Sequence, residues 1–372
     1  MLERIKNKTK KAFHKTSLWY GKYERPISSV SLVGGFVFDA LTLERIDRVW
    51  DNFWVLAHIV IVGLFMILVH SGERMEGDET NPEKLHFWYV NILQFFFGGL
   101  LSVFLVFYFR SSDLSVSWPF LLILALAFWA NESLKKHFVR LTFQVSLFFL
   151  SLFSCAIFLV PVLAHQIGAK IFLISGLLSL LFMAVFLYLI YTVDKKVFRK
   201  SKKGMFFAIG GIYIAMNIFY FTNLIPPIPL SLKDSGIYHL VSKDSDDNYI
   251  AKYEPQGFFH FLSIYDEFHV RPGDDVYAYS AVFSPTNLNI TIIHRWQYYD
   301  NGTKKWIDYS RVPLQLIGGR DEGFRTFSVK NDIFPGEWRV NVETTRGQVI
   351  GRLRFQVLQV DSAPTLQTKV LK

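Results

Sequence analysis

The chain has 372 residues, of which 51% are hydrophobic and 37 are phenylalanine, and a formal net charge of +9. A mean hydropathy of +0.25 excludes an ordinary soluble enzyme. Residues 1–227 hold 23 Lys and Arg against 14 Asp and Glu, whereas residues 228–372 hold 17 of each. That neutral C-terminal part argues against a nucleic-acid partner, and basic residues placed between apolar runs are the pattern of membrane topology.

Residues 1–26 include Lys6, Lys8, Lys10, Lys11 and Lys15. Such a segment beside a bilayer attracts anionic lipid at about 1 kcal/mol per charge. No small-residue cleavage site follows, so nothing at the start reads as a signal peptide. Residues 27–227 are expected to form a transmembrane domain. Six runs have the length of a crossing, about 20 apolar residues: Phe53–His70, Trp88–Phe109, Leu114–Ala130, Leu141–Ala164, Ala169–Val193 and Gly204–Ile225. Trp50, Trp54, Trp88, Tyr89, Trp118 and Tyr191 lie near their ends, where interfacial aromatics belong. Pro226, Pro227 and Pro229 stop the last run.

A seventh candidate, Ile27–Leu43, is only 17 residues long and carries Asp39. It either crosses or re-enters. Basic residues decide for a crossing. With seven crossings and the N-terminus inside, 19 Lys and Arg face the cytoplasm and 4 face out; with six, the split is 12 to 11. The positive-inside rule therefore predicts a seven-helix bundle, an N-terminus in the cytoplasm and an extracytoplasmic C-terminal region.

Within the runs, Gly34-Gly35, Gly98-Gly99 and Gly210-Gly211, with Ser31, Ser102 and Ala215 nearby, predict close helix approach. Asn91, Gln94, Gln144 and Asn217 read as interhelical hydrogen bonders. Asp39 and His58 are the intramembrane polar candidates. They could face each other, in a structural pair or at the wall of a cavity. Two residues are too few for a metal site, and no metal or cofactor motif is present, so neither is expected. Cys155 is the only cysteine, which rules out an intramolecular disulfide.

After the prolines the hydrophobic period changes to two. Residues 228–265 read as a juxtamembrane linker with a hairpin, Gly236–Ser242 and Asn248–Tyr253. Residues 266–360 read as an all-β antiparallel, immunoglobulin-like sandwich, and residues 361–372 as a tail. The predicted strands are Val276–Phe283, Asn289–Tyr299, Trp306–Val312, Arg325–Lys330, Glu337–Thr344 and Val349–Leu358. Asp300-Asn301-Gly302-Thr303 is a hairpin turn in which Gly302 is expected to supply a positive φ. Alternation puts Trp338, Val340 and Val342 on one face and Arg339, Asn341 and Glu343 on the other.

His294-Arg295-Trp296, Gly319–Arg325, Pro335-Gly336-Glu337-Trp338-Arg339-Val340 and Gly347–Phe355 together resemble the module called domain of unknown function 2914. The resemblance spans roughly residues 266–358. It implies a bacterial cell-envelope protein with a β-sandwich, and it implies no catalytic residues.

His294, Arg320, Asp321 and Arg339 are the polar groups available for chemistry in this module. No catalytic serine or cysteine set and no phosphate loop accompanies them. By alternation His294 joins Ile290, Ile292 and Trp296 in the core, and a structural contact between His294 and the Arg320 loop is expected. The leading expectation is an inner-membrane protein that displays a binding sandwich to an envelope glycan or protein. Tyr298, Tyr299, Trp306 and Tyr309 could stack on sugar rings or dock a partner. His294, Trp296, Tyr298, Trp306 and Arg320 are thus the candidate binding residues. A membrane-embedded enzyme or transporter, with the sandwich as an accessory, is the alternative. A sensor acting through the short inside loops ranks last.

Overall fold

The computed structural model describes residues 33–43, 49–72, 82–133, 140–245, 248–255, 265–284, 290–316 and 323–371. The basic segment 1–26, the start of the first apolar run and Arg320 lie outside them.

Among the described residues seven helices come first: α1 (Val33–Thr42), α2 (Val49–Gly72), α3 (Pro82–Arg110), α4 (Leu114–Ser133), α5 (Leu141–Ala164), α6 (Ala169–Val193) and α7 (Lys195–Phe221). Six are long and apolar enough to cross a membrane. The described part of α1 is ten residues, about 15 Å of helix, too short to span alone. α7 starts earlier than expected, because Lys195–Lys203 is helical. It also stops earlier, at Phe221. Asn223 takes a left-handed φ of 59°, and the amides of Asn223 and Leu224 return to the carbonyls of Tyr220 and Phe219 at 3.2 and 2.8 Å. That is a Schellman stop, which satisfies carbonyls the helix end would leave unpaired.

The chain divides into two compact units. One takes the chain up to Val106, Ile123–Cys155 and Ser179–Ile212. Its core is built on aliphatic and aromatic side chains such as Val62, Met66, Phe97, Phe104, Phe149 and Phe153, with a few buried polar groups among them. Only part of the glycine expectation holds. A Cβ on Gly99 would lie 3.2 Å from His58 Nε2, whereas Gly34, Gly35, Gly210 and Gly211 have nothing within 4 Å. Close packing is found instead at Gly63, against the Phe186 and Phe148 rings, and at Gly204, against Thr142. Gln94 and Asn131 exchange amide-to-carbonyl bonds of 3.0 and 3.1 Å between α3 and α4. Gln144 pairs with His70 at 3.0 Å. Asn217 instead donates to Tyr213 O within its own helix.

The other unit takes Phe107–Leu122, Ala156–Leu178 and Tyr213–Lys372, and so holds every strand. These are β1 (Ser231–Tyr238), β2 (Leu240–Lys243), β3 (Tyr249–Tyr253), β4 (Asp266–Val270), β5 (Val276–Phe283), β6 (Ile290–Asp300), β7 (Lys305–Leu316), β8 (Phe324–Lys330), β9 (Gly336–Thr344), β10 (Val349–Gln359) and β11 (Gln367–Leu371). They form sheets ordered β1-β5-β8, β4-β10-β9-β6-β7 and β11-β3-β2. All pairs are antiparallel except β10 with β4, which is parallel. Val276 and Ala278 of β5 share one buried cluster with Trp296, Trp338, Val340, Phe355 and Val357 of the five-stranded sheet, so the first two sheets close on a common core.

The β-rich region begins before residue 266. Segment 231–238, whose last three residues fall in the expected hairpin arm Gly236–Ser242, pairs with β5 along its length, and only β2 and β3 make the hairpin. The expected tail supplies β11, which pairs with β3. In β10 a register shift between Val349 and Gly351 turns Ile350 into the core beside Val282 and Val342. Gly351 lets the Leu232 side chain pack directly over the β10 backbone, and a Cβ there would force Leu232 to move. At the β6–β7 turn the left-handed residue is Lys304, with φ 54°, and not Gly302. Asp300 pairs with Lys305, which leaves a four-residue loop that needs its positive φ at the last position. The Asp300 carboxylate accepts bonds from the Gly302 and Thr303 amides at 3.2 Å each.

Candidate functional site

The sequence candidates separate into buried and half-buried residues. His294 and Trp296 are both 0% exposed, so neither can meet a ligand. His294 Nε2 is 2.8 Å from Ser280 Oγ and Nδ1 is 2.9 Å from Ser328 Oγ. Trp296 Nε1 donates to the same Ser328 oxygen at 3.0 Å. Burial lowers the His294 pKa to about 3, so the ring is neutral at ordinary pH. It is a satisfied core histidine. Tyr298 packs edge-on to Phe334, with centroids 4.9 Å apart. Trp306 is half-buried and lies 5.4 Å from Tyr299.

Trp306 also leads to a group of residues that the sequence reading did not assemble. On the outer face of the five-stranded sheet, register aligns Arg311, Arg295, Asn341 and Arg352 in one row across β7, β6, β9 and β10. The next row is Asp308, Gln297, Arg339 and Arg354. Each row spans four strands, about 14 Å. Asp308 receives Arg295 at 2.7 and 2.9 Å, Arg311 at 2.9 Å and Gln297 at 2.6 Å. These bonds, that from Arg295 first, hold the Asp308 pKa down at about 2. Gln297 Oε1 in turn accepts from Arg339 Nε at 2.8 Å, and Asn341 Oδ1 accepts from Arg352 Nε at 2.7 Å. The Arg339 guanidinium lies 4.2 Å from the Trp306 ring centroid, a cation–π contact.

Along β6, β7, β9 and β10 five arginines (295, 311, 339, 352 and 354) face three carboxylates, Asp308, Glu337 and Glu343, and Asp113 and Asp266 stand beside Arg352 and Arg354 at the far end of the rows. Glu343 is 3% exposed, burial raises its pKa, and its nearest cation, Arg295, is 3.9 Å away. Burial, then repulsion from Arg352, Arg295 and Arg354, lowers the Arg339 pKa to about 10. A half-buried guanidinium, Arg339, that lies over an indole and bonds to an amide oxygen suits a carboxylate or phosphate ligand. One signal for it was legible: arginines two apart on β10, opposite Arg339 across a hairpin. What hid the site was the β6–β7 pairing, which brings Asp308 and Trp306 alongside.

The intramembrane candidates are brought close enough to interact electrostatically. Asp39 Oδ2 accepts from Ser102 Oγ at 2.6 Å. His58 Nδ1 is 2.9 Å from Trp54 O, and its ring meets Phe96 edge-on at 5.0 Å. Among the described residues no three His, Cys, Asp or Glu are grouped to hold a metal ion.

Residues 289–357 match the family model described as protein of unknown function (DUF2914). That match covers β6 to most of β10, and hence the arginine face. None of the curated proteins matches the chain. Among solved structures, the alkylpurine DNA glycosylase AlkC of Pseudomonas fluorescens bound to DNA containing an abasic site analog aligns at 9% identity. The alignment covers 84% of this chain and 99% of that one, with a TM-score of 0.22. A superposition that loose carries no argument.

Proposed function

We propose that the chain is a seven-crossing inner-membrane protein that holds its β-rich region outside the cytoplasm, as an immunoglobulin-like sandwich. The arginine face then binds an acidic group on an envelope glycan or protein. The Arg339 guanidinium over Trp306, bonded to the Gln297 amide and to no carboxylate among the described residues, carries this proposal. Charge placement supports the sidedness. The turns at 111–113 and 165–168 belong to the same unit as the β-rich region and contain no Lys or Arg. On the alternate side of the apolar runs the sequence holds Lys135, Lys136, Arg140 and the basic first turns of α7, Lys195–Lys203, the pattern expected of a cytoplasmic face.

The test is binding of acidic and neutral oligosaccharides to the purified full-length protein in nanodiscs. Acidic chains should bind, more weakly as salt rises, and Arg339→Gln or Trp306→Ala should cost about tenfold, or roughly 1.4 kcal/mol. Equal affinity for neutral chains would remove the electrostatic reading. Reporter fusions after Thr80, Lys203 and Lys372 should read inside, inside and outside. The alternative, a membrane-embedded enzyme or transporter, rests on Asp39 and His58, whose bonds to Ser102 and the Trp54 carbonyl favour a structural tie.

A further inference from the structure

At the far end of the arginine rows, β4 pairs with β10 only from Phe355 onward. Beside Arg352 and Arg354 a cavity of about 450 Å³ opens. Its walls are Arg352 and Arg354 of β10, Asp266 of β4, residues 235–237 of β1, and Asp113, Leu114 and Ser115 at the start of α4. All of these lie in one compact unit. The volume is that of a small-molecule site.

We propose that this cavity seats the headgroup of a membrane phospholipid carrying both a phosphodiester and a primary ammonium. The inference rests on the reading that α4 crosses a bilayer. α4 has 20 residues, about 30 Å of helix, which equals the hydrocarbon thickness. Its first residues, which line the cavity, then sit at headgroup depth. Leu114 and Trp118 are 53% and 58% exposed, and a tryptophan one turn into a helix is a usual interfacial anchor.

The lining chemistry selects the headgroup. Arg352 and Arg354 project from the same face of β10, and planar guanidinium groups pair with phosphate oxygens in a bidentate way. Arg352 Nη1 is fixed by donation to Ser115 Oγ at 2.9 Å, which points its head toward the cavity. Asp113 and Asp266 set two carboxylates against the two cations. A purely anionic headgroup would meet repulsion from them, and a quaternary ammonium could not donate to them. A primary ammonium can.

The experiment is native mass spectrometry of the full-length protein, offered an equimolar mixture of phosphatidylethanolamine, phosphatidylglycerol and phosphatidylcholine. One phosphatidylethanolamine should be retained about tenfold over either competitor. Arg354→Gln, and the double variant Arg352→Gln/Arg354→Gln, should abolish that preference. Asp113→Asn and Asp266→Asn together should move it toward phosphatidylglycerol. Arg352 bridges to Asn341 and Ser115 and its loss can unfold the region, so Arg354→Gln with an unchanged melting curve is the deciding variant. Soluble glycerophosphoethanolamine at the same concentration should not displace the lipid; if it does, the ligand is a soluble phosphodiester and the lipid assignment falls. Equal retention of all three lipids, or a preference unchanged in Arg354→Gln, overturns the proposal. Alkaline carbonate extraction separates that failure from a failure of the membrane reading, since it reports integration without reference to the cavity.

Discussion

Arg346 lies over the ring of Tyr220, its guanidinium carbon 4.7 Å from the ring centroid, while Nη1 donates to the phenol oxygen at 3.2 Å. Tyr220 is stacked in turn on Phe172, with centroids 3.8 Å apart and planes 6° from parallel. Two further bonds tie the same turn to the end of α7. Asn223 Nδ2 donates to Arg346 O at 3.2 Å and Gln348 Nε2 to Ile225 O at 3.4 Å. Arg346→Ala should lower the melting temperature of the detergent-solubilised protein, by an amount matching about 1–2 kcal/mol. Once Arg346 is gone, Tyr220→Phe should cost almost nothing more. Additive losses in that double-mutant cycle would show that the two side chains do not act together.

His294 supplies a pH dependence whose sign follows from its burial. The folded pKa, near 3, lies below the value of about 6.5 for an exposed imidazole. Between those values the unfolded chain binds the extra proton, so stability is full above pH 6.5 and falls as pH drops, by at most about 1.4 kcal/mol per unit. Below about pH 4.5 Glu254 and other paired carboxylates also lose stabilisation, and other histidines share the window from 4.5 to 6.5, so comparison with a variant isolates His294. In His294→Gln the slope in that window should flatten relative to the parent, read from the pH dependence of the melting temperature. An unchanged slope would mean that the ring titrates freely.

Glu254 joins three elements of the β-rich region. Its carboxylate meets His239 Nε2 at 2.8 Å and His269 Nδ1 at 2.6 Å, and accepts the His269 amide at 2.8 Å. Burial pushes its pKa up, but these bonds together hold it below the ordinary value. Its stabilisation is therefore present above about pH 4.5 and is lost as pH falls through the lowered folded value. Glu254→Gln should cost about 1–3 kcal/mol at neutral pH and much less at pH 3, as measured by denaturant unfolding. The same cost at both values would contradict an ionised carboxylate at this position.

A fragment cut at the expected boundary, residues 266–360, should aggregate when expressed alone, because it lacks β1 and β11. Removing β1 uncovers the edge of β5 along seven paired positions and exposes Tyr279 and Ala281, which are 0% exposed in the whole chain. A fragment of residues 231–371 should be soluble and strand-rich by circular dichroism. Equal behaviour of the two would mean that β1 is dispensable.

How far the sequence could be read depended on the distance over which each interaction acts. β5, β8, β9 and β10 were legible to within a residue or two, because alternation such as Trp338-Arg339-Val340 is a local signal that the sheet amplifies. The burial of His294 was legible for the same reason. The sequence reads only the end of β1, from Gly236, and puts it in a hairpin, because its partner β5 lies about forty to fifty residues away and only pairing shows that. Glycine pairs suggested close helix contacts, but a glycine permits approach without requiring it, and Gly210-Gly211 packs against nothing within 4 Å. The arginine face was hidden because Asp308, Gln297, Arg339 and Arg354 come from four strands. No spacing in the chain records that row.

The hairpin of β9 and β10 holds Arg339, Asn341, Arg352 and Arg354 along its strands and Arg346 at its tip. Under the proposed function, a partner held at that face would pull on the end of α7 through this hairpin and the stacked Arg346–Tyr220 pair. The load would run from the arginines to the tip along the strand backbones, whose covalent bonds do not give, so Arg346 on Tyr220 would yield before the sheet does.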